Sequence, residues 1–192
     1  MTGNPYVSNA FAYLLDTVFT LYILLIMLRF LLQWVRADFY NPVCQFLVKA
    51  TNPPLRPLRR VVPGLWGIDL ASILLMIALQ MLAFWLIQIT GGRTMAVPGL
   101  FVLSVSALIM LALNVFLISI LIQVVLSWIN PSAYNPLVSL IQSLNEPLLR
   151  PARRILPDMG GIDFSPLLVL LLIQLTKMLL VAPLRDAGLA LA

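Results

Sequence analysis

Two clusters of arginine residues are the part of this sequence best suited to chemistry. They are Arg56, Arg59 and Arg60 in the first half of the chain, and Arg150, Arg153 and Arg154 in the second. Residues three and four positions apart share one face of a helix, so each cluster would place three guanidinium groups together. Guanidinium groups bind phosphate and carboxylate oxygens through paired hydrogen bonds. Each cluster therefore predicts either a site for an anionic lipid headgroup or acidic partner, or an intramolecular pair with Asp69 or Asp163.

The composition gives little support to catalysis or metal binding. The chain has no His and 1 Cys, and His is both the commonest general base and the commonest metal ligand. No pairing of nucleophile and base accompanies the arginines. We therefore expect no enzymatic activity, no metal and no cofactor. Cys44 is predicted to be a small packing residue and not a reactive thiol.

Both arginine clusters lie in a connector that the sequence contains twice. The first copy runs from Trp34 to Asp69 and the second from Trp128 to Asp163, and the two align without a gap. The shared motifs are Tyr-Asn-Pro, Arg-Pro, a pair of arginines and Gly-Ile-Asp. Such identity at a constant offset indicates an internal repeat.

Each connector is predicted to begin with an amphipathic helix. Asn41-Pro42 and Asn135-Pro136 mark the helix starts, because Asn is a good N-cap and Pro suits the first helical position. Apolar residues then recur at helical spacing and should pack against the membrane or under the spans. They are Val43, Phe46, Leu47 and Ala50 in the first copy, and Leu137, Leu140, Ile141 and Leu144 in the second.

Prolines are predicted to divide the rest of each connector. We expect Pro53 and Pro54 in the first copy, and Pro147 in the second, to end the amphipathic helices. A second short helical turn should then carry the arginines and stop at Pro63 or Pro157. Gly67 and Gly161 permit a tight turn. Asp69 and Asp163 should cap the returning helices, although Ser165-Pro166 is an alternative cap in the second copy.

The flanking stretches identify an all-α integral membrane protein. Apolar residues make up 61% of the chain and charged residues 10%, whereas soluble domains have about 25% charged residues. Four stretches are long enough to cross the ~30 Å hydrocarbon layer as helices, at about 11–35, 70–89, 100–129 and 164–181. Residues 9–90 then form a first repeat, residues 100–182 a second, and residues 183–192 a short C-terminal tail.

Four spans place both connectors on one side of the membrane and both termini on the other. The connectors hold most of the Lys and Arg residues, so the positive-inside bias predicts cytoplasmic connectors and outside termini. The first and third spans then run in the same direction. The repeats should thus be parallel and related by a pseudo-twofold axis along the membrane normal. The net charge of +5 suits anionic lipid headgroups better than nucleic acid.

A few polar residues lie inside the predicted spans. They are Thr20, Arg29, Gln80, Asn114, Gln123 and Gln174, and Asp16 lies nearer the outer end of the first span. Thr20 aligns with Asn114 and Gln80 with Gln174, so these four could hydrogen-bond across helices or line a polar pathway. We expect Arg29 to snorkel to the headgroups. Asp16 is expected at the outer interface, with an intramembrane functional acid as the alternative.

The twice-written pattern, with a Gln in the span that follows each copy, resembles the YggT (YlmG-like) family of small bacterial and plastid membrane proteins. The resemblance covers nearly the whole chain. It implies a bacterial inner-membrane protein associated with osmotic-shock tolerance and cell division, and for the plastid relatives with assembly of a membrane cytochrome. It supplies no catalytic residue, and the lack of His and of paired Cys for attachment or axial ligation argues against a haem-related role.

Two functions remain open from the sequence. The preferred one is a non-enzymatic scaffold or assembly factor in envelope homeostasis, acting through anionic lipids and a membrane-protein partner or a homo-oligomer. The alternative is a small channel or transporter component for ions or osmolytes, with Thr20, Gln80, Asn114 and Gln174 along the path.

Overall fold

The computed structural model describes residues 5–64, 67–92, 94–129, 135–156 and 163–191. These residues form helices and no strand. The helices are α1 (Pro5–Trp34), α2 (Pro42–Val61), α3 (Leu70–Thr90), α4 (Val97–Ile129), α5 (Pro136–Ile155), α6 (Ser165–Thr176), a π-turn (Lys177–Val181) and α7 (Ala182–Ala190).

Four helical segments are long and apolar enough to cross a membrane, which confirms the predicted number of spans. They are Tyr6–Trp34, Leu70–Thr90, Val97–Ile129 and Ser165–Ala190. The outer ends of three spans differ from the prediction. α1 already begins at Pro5 and α4 at Val97, and the fourth span continues into the segment that we set apart as a tail.

The fourth span continues because a π-turn carries it past a proline. Pro183 has no N–H and its ring crowds the preceding turn, which would break a regular α-helix. The π-turn Lys177–Val181 lies directly before Pro183, and the N–H of Ala182 reaches back to the carbonyl of Lys177. A local widening of this kind is a recognised way for a helix to absorb such a disturbance. α7 then completes the span.

The spans pack in the order α1, α3, α4 and then α6 with the π-turn and α7. α1 packs mainly on α3, α3 also packs on α4, and α4 packs on the fourth span. Among the described residues, α1 and α6 share no packed interface. The first and fourth spans are therefore the two edges of the bundle. The connector helices α2 and α5 pack against the spans of their own half.

α2 and α5 each run unbroken through the arginine cluster, so the predicted helix ends at Pro53, Pro54 and Pro147 are wrong. α2 contains Pro53, Pro54 and Pro57, and α5 contains Pro147 and Pro151. Tertiary contacts offset part of the cost of these prolines. For example, Pro54 cannot donate to the carbonyl of Ala50, and the Tyr22 hydroxyl of α1 donates to that carbonyl at 3.4 Å instead.

The buried stripe of α2 also differs from the prediction. The residues that face the spans are Cys44, Leu47, Thr51 and Leu55, whereas Val43 and Phe46 are exposed. In α5 the predicted Leu140, Ile141 and Leu144 are buried, and Leu137 is exposed. Thr51 and its counterpart Asn145 are polar members of these stripes, so an apolar pattern alone misplaces the face.

The predicted caps of the connector helices are confirmed. The side chains of Asn41 and Asn135 accept hydrogen bonds from the N–H groups of Val43 and Leu137, each at 3.0 Å. Pro42 and Pro136 occupy the first helical positions. At the other ends, Val62 and Leu156 are extended, because a following proline disfavours helical backbone.

The turn after α2 uses the predicted glycine. Gly67 has φ 81°, a conformation that costs little only without a Cβ. Its counterpart Gly161 and the stop residue Pro157 lie outside the described residues. The parallel arrangement of two repeats about a pseudo-twofold axis stays a prediction.

Candidate anion-binding site

The middle arginine of each cluster is engaged within the protein. Arg59 forms an ion pair with Asp69. Arg153 donates from Nε to Asp163 at 2.9 Å and from Nη1 to Glu146 at 3.3 Å. Of the two alternatives that the sequence left open, Arg59 and Arg153 therefore form the intramolecular pair with an aspartate.

The two aspartates hold the starts of the returning spans in different ways. Asp69 is the N-cap of α3 and accepts from the backbone N–H of Ser72 at 3.4 Å and from its hydroxyl at 2.5 Å. The N-cap of α6 is instead Phe164, without a side-chain cap bond, which corrects the predicted role of Asp163. The residue aligned with Ser72 is Pro166, which has no N–H to donate.

Asp163 binds the first residue of α6. It accepts from the N–H of Ser165 at 2.9 Å and from its hydroxyl at 2.5 Å. Ser165 is thus inside the helix and is not its cap. Both aspartates remain next to the positive end of a helix dipole, where a carboxylate is stabilised.

The environment keeps both carboxylates charged. Burial acts to raise the pKa of Asp69, but hydrogen bonds from Arg59 and Ser72 outweigh it and hold the pKa below its ordinary value. At Asp163 burial also acts to raise the pKa, and hydrogen bonds from Ser165 and Arg153 lower it overall. Arg59–Asp69 and Arg153–Asp163 are therefore ion pairs that join a connector to the span that follows, and each is called an Arg–Asp clasp below.

The outer arginines of each cluster are exposed and form no ion pair or hydrogen bond with the described residues. They are Arg56, Arg60, Arg150 and Arg154. At about 100° per residue, Arg56 and Arg60 lie on the side of α2 opposite Leu47, Thr51 and Leu55. Two guanidinium groups in each connector are therefore free to bind an external anion.

A buried polar contact fixes α2 under the first span. Arg29 of α1 is only 5% exposed, and its Nη1 donates to the Thr51 hydroxyl at 2.7 Å and to the Asn52 amide oxygen at 3.0 Å. Its Nε has no hydrogen-bond partner among the described residues. Arg29 therefore does not snorkel to the headgroups as predicted, because the connector helix supplies its partners.

Neutral residues make the corresponding contact in the second half. Asn145 of α5 donates to the Gln123 side-chain oxygen at 2.8 Å and accepts from the Ser119 hydroxyl at 2.6 Å. Gln123 aligns with Arg29, and Asn145 with Thr51. Each connector is thus held to its span at the same place by different chemistry.

A cleft opens beside each Arg–Asp clasp. The first, of about 300 Å³, is lined by Gln33, Arg59 and Asp69 among others. The second, of about 620 Å³, includes Ser127, Arg153 and Asp163 together with apolar residues of α4 and α6. The three polar residues named for each cleft occupy aligned positions.

The predicted polar residues of the outer and middle membrane do not come together. Asn114 accepts from the Lys177 Nζ at 2.6 Å, and Thr20 is half-buried. Gln80 is buried, and among the described residues it has no hydrogen-bond partner, whereas Gln174 is exposed. In the described part of the chain these residues form no continuous polar path, so the channel alternative gains no support.

Sequence reasoning missed Thr51, Asn145 and Lys177. Thr51 and Asn145 could have been found as aligned polar residues at the buried spacing of their helices. Lys177 is a charged residue within an apolar span, which by default marks a functional candidate.

Known proteins resemble the chain over nearly its full length. An uncharacterized protein of Pseudomonas aeruginosa is 45% identical over 176 residues, covering 91% of this chain and 89% of that protein. The "Uncharacterized protein YggT" of Escherichia coli is 38% identical over 182 residues, covering 94% of each. No solved structure matches significantly.

A family model locates the resemblance on the two halves. The CCB3/YggT model matches residues 8–90 and again residues 102–184. Each match contains one connector and most of the two spans that flank it. The chain is a multi-pass membrane protein that belongs to the CCB3/YggT family.

Proposed function

We propose that this protein is a non-enzymatic scaffold that binds anionic lipid headgroups through its two connectors. The observation that carries the proposal is the division of labour within each arginine cluster. Arg59 and Arg153 hold the fold together, while the flanking arginines stay exposed at aligned positions of α2 and α5. The intramolecular pairs therefore leave two guanidinium groups in each connector that can bind headgroup phosphates.

The setting of the connectors supports this reading. α2 and α5 are amphipathic helices whose buried stripes face the spans, which suits a position beside the membrane surface. A cation near an anionic leaflet contributes about 1 kcal/mol. Loss of two arginines should therefore weaken lipid retention by roughly 30-fold if the contributions add.

We also propose the membrane and the orientation in which the protein lies. The excess of Lys and Arg in the connectors favours a bacterial inner membrane with cytoplasmic connectors and outside termini. A protein that binds anionic lipids and presents two rigid connectors suits envelope homeostasis: osmotic tolerance, cell division or assembly of a membrane complex.

Native mass spectrometry of the purified protein in mixed cardiolipin and phosphatidylcholine micelles tests the lipid proposal. We expect Arg56→Gln with Arg60→Gln to lose most bound cardiolipin. The matched control is Arg93→Gln with Arg185→Gln, which removes the same charge outside both connectors and should keep the lipid. Equal cardiolipin retention by both double variants would refute the proposal.

A further inference from the structure

The two halves of the chain touch through one of two equivalent helix pairs. α3 of the first half packs against α4 of the second. Repetition of this contact would place the second-half counterpart of α3, which is α6, against the first-half counterpart of α4, which is α1. Within one chain α6 and α1 share no packed interface among the described residues. The edge helices α1 and α6 therefore each lack a neighbouring helix that their counterparts α4 and α3 have.

Aligned residues of α4 and α1 differ in exposure, because α4 has this neighbouring helix and α1 does not. Leu108 and Val115 of α4 are each 8% exposed, whereas their counterparts Leu14 and Leu21 of α1 are 60% and 58% exposed. In the other helix pair, Gln80 of α3 is 7% exposed and its counterpart Gln174 of α6 is exposed. An exposed glutamine in an apolar span is costly in lipid and is better placed against protein.

The connectors repeat the pattern. Asn41 is 5% exposed and its side-chain amide donates to the Pro136 carbonyl of the other half at 2.7 Å. Its counterpart Asn135 is exposed. Likewise Leu140 of α5 is 4% exposed, while its counterpart Phe46 of α2 is 60% exposed. On both edges of the bundle, uncovered positions thus occur in the connector as well as in the span.

We propose that copies of this chain associate head to tail in the membrane, with α6 and the π-turn of one copy packed against α1 of the next. The Asn135 amide of one copy meets the Pro42 carbonyl of its neighbour, as the Asn41 amide meets the Pro136 carbonyl inside the chain. This interface repeats the contact that α3 makes with α4 inside the chain. Such a heterologous contact builds a ring when the rotation closes.

Crosslinking in membranes tests the interface. In a Cys44→Val background, Leu14→Cys and Gln174→Cys place one thiol on each edge of the bundle. A short bifunctional maleimide should give dimers and longer ladders from the double variant. Either single-cysteine variant alone should stay monomeric, because a heterologous contact does not bring identical positions together. Monomers only from the double variant, or dimers from a single one, would overturn the proposal.

Discussion

At the residue scale, one motif performs two tasks. The aligned arginine clusters read as uniform triads in the sequence. In the structure, Arg59 and Arg153 turn toward carboxylates of the following spans, while Arg56 and Arg150 remain exposed. Spacing on a helix shows which side chains share a face, but which of them finds an internal partner depends on where the next span starts.

The clasp at Asp69 makes stability depend on pH. Because the pKa of Asp69 is lowered in the folded protein, its contribution is fully present above the ordinary carboxyl pKa and is lost as the pH falls through the folded value. We expect the melting temperature in detergent to drop below about pH 4. Asp69→Asn should be less stable at pH 7 and flatter across the acid range. Parallel acid profiles of the two proteins would contradict this role.

The buried Arg29 contact should be costly to break. Thr51→Val removes the hydroxyl that accepts from Arg29 and leaves a buried charge with one fewer partner. We expect a loss of about 1–3 kcal/mol in the free energy of unfolding, measured by denaturant titration in mixed micelles.

A second threonine gives the matched control. Thr176→Val removes an exposed hydroxyl that bonds only its own helix, so its effect should stay within about 0.5 kcal/mol. Similar losses in the two variants would mean that the Arg29 contact contributes nothing of its own.

At the element scale, local signals predicted the helix starts well and the helix ends poorly. Asn41-Pro42 and Asn135-Pro136 act within one turn, so the sequence sufficed. The continuation of α2 through Pro53 and Pro54 depends on contacts with α1, including the Tyr22 hydroxyl. No local rule contains those contacts.

The same limit applies to the buried face of α2 and to the fourth span. Thr51 is buried because Arg29 reaches it from another helix, so an apolar pattern could not select it. The π-turn before Pro183 lies in a span that packs against α4 along its whole length, and no local sequence pattern predicts such a turn. By contrast, the number of spans follows from length and apolarity alone.

The N-cap residues Asn41 and Asn135 should differ in how much they stabilise the folded protein. Asn41→Ala and Asn135→Ala each remove one N-cap bond, which should cost about 1 kcal/mol. Asn41 also donates to the Pro136 carbonyl, so its replacement should cost about 1 kcal/mol more in the monomeric protein in detergent. Denaturant titration of both variants measures the difference, and equal losses would show that the Asn41–Pro136 contact is neutral.

At the scale of the whole molecule, each half presents a connector beneath two spans. The family model matches both halves, and the aligned caps, clasps and exposed arginines recur in each. A scaffold that binds the membrane surface at two aligned places needs both connectors on the same side. This sidedness is the claim on which the proposed function depends.

Labelling of single cysteines from one side of the membrane at a time measures most directly on which side each connector lies. In a Cys44→Val background, Arg56→Cys and Arg150→Cys mark the two connectors, and Thr94→Cys marks the exposed loop between α3 and α4. An impermeant maleimide should label the two connector cysteines only in inverted vesicles and the loop cysteine only in intact cells stripped of their outer membrane. Labelling of the two connectors from opposite sides would contradict the account.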